Sequence, residues 1–353
     1  MAAEPLASTA VLPALLVKLI RHEDLSADEA ASAMDLVMRG EVTPAQLAAL
    51  LVGLAMKGER PEEIVGLARA MRAHAVTLSR TFPDAFDTCG TGGDRAGTVN
   101  VSSAAALAMA ACGVMVAKHG NRSVSSRCGS ADVLEALGVG IAASPAIVER
   151  SLTEAGIAFL FAPSFHPSMK HAGPTRRELG LRTAFNLLGP LTNPVGPRRQ
   201  IVGVPRPELT ELVARALVLL GSERVWVVHG ADGLDEISTT GYTKVSEGHQ
   251  GSVRTFHVHP GDFGLRKASL SALAGAGASE NAETIRRLLG GERGPVHDIV
   301  ALNAGAGLFV AGRVPGVREG IVRASAALTD GSASRVLDRL VAVTTAPVGE
   351  ARA

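Results

Sequence analysis

Three short stretches of this sequence carry residues suited to a phosphorylated ligand. The first is Asp87-Thr88-Cys89-Gly90-Thr91-Gly92-Gly93-Asp94. Its glycines let backbone amides approach an anion closely, because no Cβ intervenes. Taken alone, such a cluster fits a tight turn equally well. Asn100-Val101-Ser102-Ser103 then opens a helical pattern that ends near Cys112. A helix N-terminus offers free amides and a positive dipole, and the hydroxyls add donors and a metal ligand. Ordinary capping by Asn100 or Ser102 is compatible with that use.

The second stretch is Lys118-His119-Gly120-Asn121-Arg122-Ser123-Val124-Ser125-Ser126. Lys118 and Arg122 bring positive charge, while Asn121 and the serines bring hydrogen bonds. The glycine spacing and ending of a Walker loop are absent, so this would be a different kind of phosphate cradle. Gly129-Ser130-Ala131-Asp132 opens a further helix toward Leu137. His119 could move a proton, although such a histidine is more often a satisfied loop residue. In the third stretch, Gly230 to Glu236, the adjacent carboxylates Asp235 and Glu236 follow a strand. Mg²⁺ prefers oxygen ligands and is often held by one or two carboxylates plus substrate phosphates. A solvated acidic turn is the equal alternative for this pair.

The elements around these stretches must place them. Residues 1–82 read as helices. Ser26 and Glu29 form a capping-box pattern with Gly40 as a stop; Thr43, Pro44 and Gln46 repeat it with Gly58 at the end. Pro61 opens a helix predicted to run to about residue 79, and a shorter one is predicted around 14–21. Beyond Phe82-Pro83, short β-like runs at 114–117, 158–161, 201–204 and 225–228 alternate with helical patterns at 101–111 and 208–220. That alternation predicts an α/β domain with a mostly parallel central sheet, whose ligands bind beyond the carboxyl ends of strands. The polar, proline-punctuated segment 167–197 could cross back to the helical part.

Composition narrows the function classes. Hydrophobic residues make up 46% of the 353, enough for a large core, while aromatics are only 3%. Lys plus Arg number 35 against 34 Asp plus Glu, which argues against a dedicated nucleic-acid binder. Cys89, Cys112 and Cys128 lack metal-ligand spacing and read as reduced thiols in a cytoplasmic protein. No secretory signal or membrane-length apolar run is apparent.

Six blocks in order resemble the anthranilate phosphoribosyltransferase family over nearly the whole chain. They are DTCGTGGD from Asp87, KHGNRSVSS from Lys118, CGSADVLEALG from Cys128, FLFAPSFHPSMKH from Phe159, LRTAFNLLGPLTNP from Leu181 and VVHGADGLDE from Val227. The resemblance implies a nucleoside phosphorylase/phosphoribosyltransferase-like fold. A helical domain at 1–82, with a contribution from about 172–192, would sit beside an α/β domain at 83–353. It implies transfer of the 5-phosphoribosyl group of phosphoribosyl diphosphate (PRPP) to the amino group of anthranilate, a step of tryptophan biosynthesis. Gly90, Gly93, Asp94, Thr98, Asn100, Val101, Ser102, Ser103, Lys118, His119, Gly120, Asn121, Arg122, Ser123, Val124, Ser125, Ser126 and Ser130 would contact PRPP. Gly90, Asn121, Arg176, His119, Pro163 and Met169 would meet anthranilate, and Ser102, Asp235 and Glu236 would hold Mg²⁺, two ions per subunit. Lys118 and His119 are the candidate catalytic groups.

Two departures are mild: Ser103 stands where many relatives have Thr, and Met169 where some have Tyr. The family also implies a cytoplasmic homodimer joined through the helical domains and association with anthranilate synthase subunits, with no nucleic-acid or membrane partner. Leu47, Leu50, Leu51 and Leu54 look like more apolar surface than one short bundle needs. A pyrimidine nucleoside phosphorylase shares the architecture, and a non-catalytic binding protein could reuse it. The Lys118 to Asn121 block and the Asp235-Glu236 pair favour the PRPP reading over both.

Overall fold

The structure, a computed structural model, describes residues 8–94, 97–123 and 127–346. Four helices come first: α1 (Ser8–Ile20), α2 (Ala27–Arg39), α3 (Pro44–Lys57) and α4 (Pro61–Ala73). The expected punctuation sets their ends. Ser26 and Glu29 form a capping box on α2, and Gly40 closes it in the left-handed conformation. Thr43 and Gln46 form a second box on α3. α4, however, stops well short of residue 79. His74 Nε2 meets Asp35 Oδ1 at 2.7 Å, the Val76 amide donates to the Phe165 carbonyl at 2.8 Å, and Ser79 Oγ donates to Glu149 at 2.8 Å. Distant partners thus replace the next turn of the helix. Leu47, Leu50, Leu51 and Leu54 are all buried within the chain, so they supply no spare apolar surface.

The α/β part follows in the order β1 (Phe86–Asp87), α5 (Val101–Ala111), β2 (Val116–Gly120), α6 (Ser130–Ala136), α7 (Pro145–Glu154), β3 (Ile157–Phe161), α8 (Ala162–Phe165), α9 (Gly173–Leu179) and α10 (Phe185–Leu188). Then come β4 (Arg199–Gly203), α11 (Leu209–Leu219), β5 (Arg224–Gly230), β6 (Thr243–His249), β7 (Ser252–Val258), α12 (Ala278–Leu289), α13 (Pro295–Val310), α14 (Val317–Thr329) and α15 (Ser332–Thr345). The strands form one sheet in the order β3-β2-β1-β4-β5-β6-β7. The pairs from β3 through β5 are parallel, and β5-β6-β7 are antiparallel. After β1 the chain adds strands on one side as far as β3, then returns to place β4 on the other. The order reverses at β1, which is where an open α/β sheet forms a ligand crevice.

Side chains alternate across the strands. Ile201, Trp226 and Val228 join the core under α5, α12, α13, α14 and α15, while Val202, Val225 and Val227 join the core shared by the four N-terminal helices, α10 and α11. The helical domain is therefore built onto one face of the sheet. Small residues replace aromatics in the tightest layer. A Cβ on Gly305 of α13 would lie 2.5 Å from the Ile321 amide nitrogen, so α13 and α14 cross backbone to backbone.

Candidate active site

A cleft of about 1330 Å³ opens at the carboxyl ends of β1, β2, β4 and β5. Every candidate site residue among those described lines it: Gly90, Gly93, Asp94, Thr98, Asn100, Val101, Ser102, Ser103, Lys118, His119, Gly120, Asn121, Arg122, Ser123, Ser130, Pro163, Met169, Arg176, Asp235 and Glu236. Val124, Ser125 and Ser126 lie outside the described residues.

The glycine-rich turn leaves the end of β1 and is tied down at several points. The Thr91 amide donates to the Gly203 carbonyl at 2.8 Å. Gly92 and Gly93 take φ of 66° and 85°, which side chains rarely adopt. A Cβ on Gly90 would lie 3.1 Å from Asp235 Oδ2. At the start of α5, neither Asn100 nor Ser102 provides a side-chain cap. Asn100 Nδ2 donates to the Cys128 carbonyl at 3.2 Å, and its Oδ1 accepts from Asn281 at 3.0 Å. The Ser102 amide instead donates to Glu236 Oε1 at 3.0 Å, and the buried Ser103 Oγ has no partner among the described residues. Asn100 is drawn off by distant partners, which leaves this helix end turned to the cleft.

Lys118 and His119 belong to strand β2, not to a loop after it. β2 starts later than the apolar run suggested and continues through both residues, because they pair in register with Phe159 and Leu160 of β3. Lys118 is only 3% exposed. Its Nζ donates to the Thr88 carbonyl and Oγ1 at 3.2 Å and to Ser102 Oγ at 3.3 Å. The Lys118 ammonium therefore stands among neutral oxygens beside the helix end. Asp87, just behind it, accepts from the His119 amide at 3.2 Å and from Asn193 Nδ2 at 2.8 Å. Burial pushes its carboxyl up to about 6, against the pull of Lys118 and Asn193.

Asp235 and Glu236 do not form a solvated turn. Their proton affinities are both raised, first by burial, then by Asp94 in the case of Asp235 and by Asp235 in the case of Glu236. The preceding Asp232 instead shapes the turn, accepting from Ser238 Oγ at 2.6 Å. No three His, Cys, Asp or Glu side chains among the described residues close a metal site by themselves. The Ser102 hydroxyl and the two crowded carboxylates are hard oxygen donors, the ligand type that Mg²⁺ prefers.

Arg122 departs from expectation. Its guanidinium lies 2.9 Å from Asp132 and 2.8 Å from Glu135, both on α6, so its charge is engaged there.

The far side of the cleft is less polar. Arg176 on α9 is half-buried, stacks over the Phe185 ring at 4.9 Å and has no carboxylate partner among the described residues, whereas Arg177 and Glu178 are exposed. His119 Nδ1 lies 3.0 Å from the Gly189 carbonyl, and its Nε2 has no partner among the described residues. Burial, followed by the neighbouring His166, lowers the His119 pKa to about 3, and burial lowers that of His166 to about 4. The two rings pack edge to face with centroids 5.3 Å apart. Both are neutral at ordinary pH.

Among the lining residues that sequence reasoning missed, His166, Phe185 and Arg182 bear most directly on the site. All three sit inside the FLFAPSFHPSMKH and LRTAFNLLGPLTNP blocks, but nothing local distinguishes them. Arg182 reaches back to the glycine turn, donating to the Gly92 carbonyl at 3.0 Å and the Gly93 carbonyl at 3.2 Å.

Residues 82–334 match the family described as "Glycosyl transferase family, a/b domain", and residues 13–75 match "Glycosyl transferase family, helical bundle domain". The anthranilate phosphoribosyltransferase of Moorella thermoacetica is 51% identical over 94% of this chain and 98% of its own length. The crystal structure of anthranilate phosphoribosyltransferase from Thermus thermophilus superposes with a TM-score of 0.87 at 48% identity, covering 93% of this chain and 98% of that one. The Saccharomyces cerevisiae enzyme in complex with PRPP and Mg gives a TM-score of 0.88 at 28% identity, covering 96% and 99%.

Proposed function

The chain belongs to the anthranilate phosphoribosyltransferase family, and we propose that its cleft carries out the family's reaction with the residues described above. The reaction transfers the 5-phosphoribosyl group of PRPP to the amino group of anthranilate, giving N-(5-phosphoribosyl)anthranilate and pyrophosphate. The observation that carries the residue assignment is the split character of the cleft. An anion-binding half, made by the glycine turn, the α5 end and Lys118, faces a half in which Arg176 stands without a carboxylate partner among the described residues.

An aromatic amine is neutral at pH 7, so its nitrogen lone pair needs no prior deprotonation. The C–N bond forms as the anomeric C–O bond breaks, and the electron pair of that bond leaves with pyrophosphate. The nitrogen then sheds its proton, and solvent suffices as acceptor. With pKa values of about 3 and 4, His119 and His166 orient the acceptor rather than buffer protons. The costly events are charge build-up on the leaving group and on the ribosyl ring, which fixed charges and amides offset. Lys118, the amides of the glycine turn and the α5 end face the leaving group. Arg176 grips the anthranilate carboxylate, best by a two-pronged contact. Ser102, Asp235 and Glu236 would hold Mg²⁺, two ions per subunit. When bound, Mg²⁺ supplies positive charge against the departing pyrophosphate.

The domain assignment is 1–82 with 172–192 for the helical part and 83–353 for the α/β part. Support comes from Ala172, Ala184, Phe185, Leu187, Leu188 and Leu191, which pack with the N-terminal helices. Two copies are proposed to associate through α1 and α3, which pack side by side and leave Val17, Ile20 and Met56 exposed. A cytoplasmic location is inferred from the family and from the three free cysteines, and association with anthranilate synthase subunits from the family.

The decisive assay follows anthranilate fluorescence. Its loss should require both PRPP and Mg²⁺. Phosphate-dependent cleavage of a pyrimidine nucleoside, without anthranilate consumption, would overturn the proposal.

A further inference from the structure

Arg182 lies between α9, which carries Arg176, and α10. Gly180 ends α9 in the left-handed conformation at φ 60° and turns the chain toward the glycine-rich loop. Arg182 is the point of contact. Its two terminal nitrogens donate to two successive carbonyls, Gly92 at 3.0 Å and Gly93 at 3.2 Å. The fit is close: a Cβ on Gly93 would collide with Arg182 Nη1. The absence of a side chain at Gly93 thus serves the approach of the guanidinium as well as the backbone conformation.

The contact has a directional consequence. There is no cis peptide among the described residues. In a trans peptide the C=O and the following N–H point in opposite directions. Engaging the Gly92 and Gly93 carbonyls therefore turns the Gly93 and Asp94 N–H groups away from the Arg182 guanidinium, both to one side of the loop that borders the cleft. Successive amides turned to one side of a glycine-rich turn form an anion-binding concavity.

We infer that Arg182 is a positioning residue that fixes the glycine-rich loop with its Gly93 and Asp94 amides directed at the phosphate oxygens of PRPP. Through it, the segment presenting the acceptor-binding Arg176 is stapled to the donor loop. This deepens the proposed function and rests on it.

The test is steady-state kinetics of the full-length protein, with PRPP and anthranilate varied in turn, on the parent, Arg182→Ala, Arg182→Lys and Gly93→Ala. Arg182→Ala should raise the KM for PRPP about tenfold or more, the scale of losing charged hydrogen bonds. The KM for anthranilate at saturating PRPP should stay within about twofold, since Arg176 keeps its Phe185 contact. Arg182→Lys should recover part of the loss, because an ammonium restores one charged donor but not the two-pronged contact. Gly93→Ala, which strains φ and blocks the guanidinium, should mimic Arg182→Ala. Should Arg182→Ala fold poorly, the Lys and Gly93 variants give the same readout. An unchanged PRPP KM, or equal rises in both KM values, would overturn the inference while the parent remains active. A parent that does not consume anthranilate would instead sink the proposed function.

Discussion

Replacing Arg176 by Ala is the most direct probe of how the acceptor is held. The guanidinium carbon lies over the Phe185 ring, 4.9 Å from its centre, half-buried and without a carboxylate partner among the described residues. Burial lowers its proton affinity, but a guanidinium remains charged throughout the working pH range. A carboxylate entering beside it gains a charged hydrogen-bonded contact of about 2–3 kcal/mol. Its loss corresponds to a rise of about 30- to 150-fold in the KM for anthranilate. The fold itself should lose only the ring contact, about 0.5–1 kcal/mol. Arg177, its exposed neighbour, points about a hundred degrees away around the helix, and Arg177→Ala should change either KM by less than about threefold. Initial rates from anthranilate fluorescence, with each substrate varied in turn, separate the two. Equal effects of the two substitutions, or a loss confined to PRPP, would refute the assignment.

Asp235→Asn or Glu236→Gln should lower kcat by about a hundredfold, the scale of losing electrostatic stabilisation of the leaving group. The ligand-free protein should melt no lower than the parent, because burial and mutual repulsion already oppose both charges; full activity of Asp235→Asn at limiting Mg²⁺ would exclude the metal role. Asp87 should make stability pH-dependent. Its folded pKa of about 6 exceeds the ordinary 3.8, so its contribution is most favourable below 3.8 and is lost as pH rises through 6, by about 3 kcal/mol. Asp87→Asn should consequently close on the parent in urea-unfolding free energy between pH 4 and pH 7, and a pH-independent gap would rule out this titration. Ile20→Asp with Met56→Lys should convert a homodimer to monomer by light scattering; a parent that is monomeric at micromolar concentration would remove the proposed interface.

Local signals are legible in this sequence, and long-range ones much less so. The capping boxes at Ser26 and Thr43, and the helix at Val101–Ala111, depend on neighbours within one turn, and they stand where expected. β1 is only two residues long and exists because β2 and β4 pair with it on either side, so nothing within Phe86–Asp87 announces a strand. Lys118 reads as a loop lysine because charge usually marks the surface. It sits inside β2 because Thr88 and Ser102, far off in sequence, supply oxygens to its ammonium. The β6–β7 hairpin escapes notice because β7 is largely exposed and follows no apolar run. Its turn signal is present at Gln250-Gly251, both of positive φ, as a two-residue hairpin turn requires. Arg122 and Arg182 show the limit most clearly. Both are arginines in blocks that resemble the family, yet one is turned onto α6 and the other onto the glycine loop.

The packing explains why so little acid–base chemistry is needed. Val202 and Val204 on and just after β4, and Val225 and Val227 on β5, share one core with the four N-terminal helices and with Phe185, Leu187 and Leu188. The segment that follows the helix bearing Arg176 is thereby held against β4 and β5. Arg72 Nε adds a tie from α4 to the Leu191 carbonyl at 2.6 Å, and Asn193 Nδ2 joins the segment after α10 to Ala117 of β2 at 2.8 Å. A frame of this kind fixes the distance between donor and acceptor before either arrives. For a nucleophile that is already neutral, holding the two reactants in line can contribute several kcal/mol of the barrier without a proton being moved. The histidines follow the same logic. Buried and neutral, they would, on the proposed reading, add shape and hydrogen-bonding direction to an acceptor pocket while Lys118, the amides and the carboxylate pair supply the electrostatics.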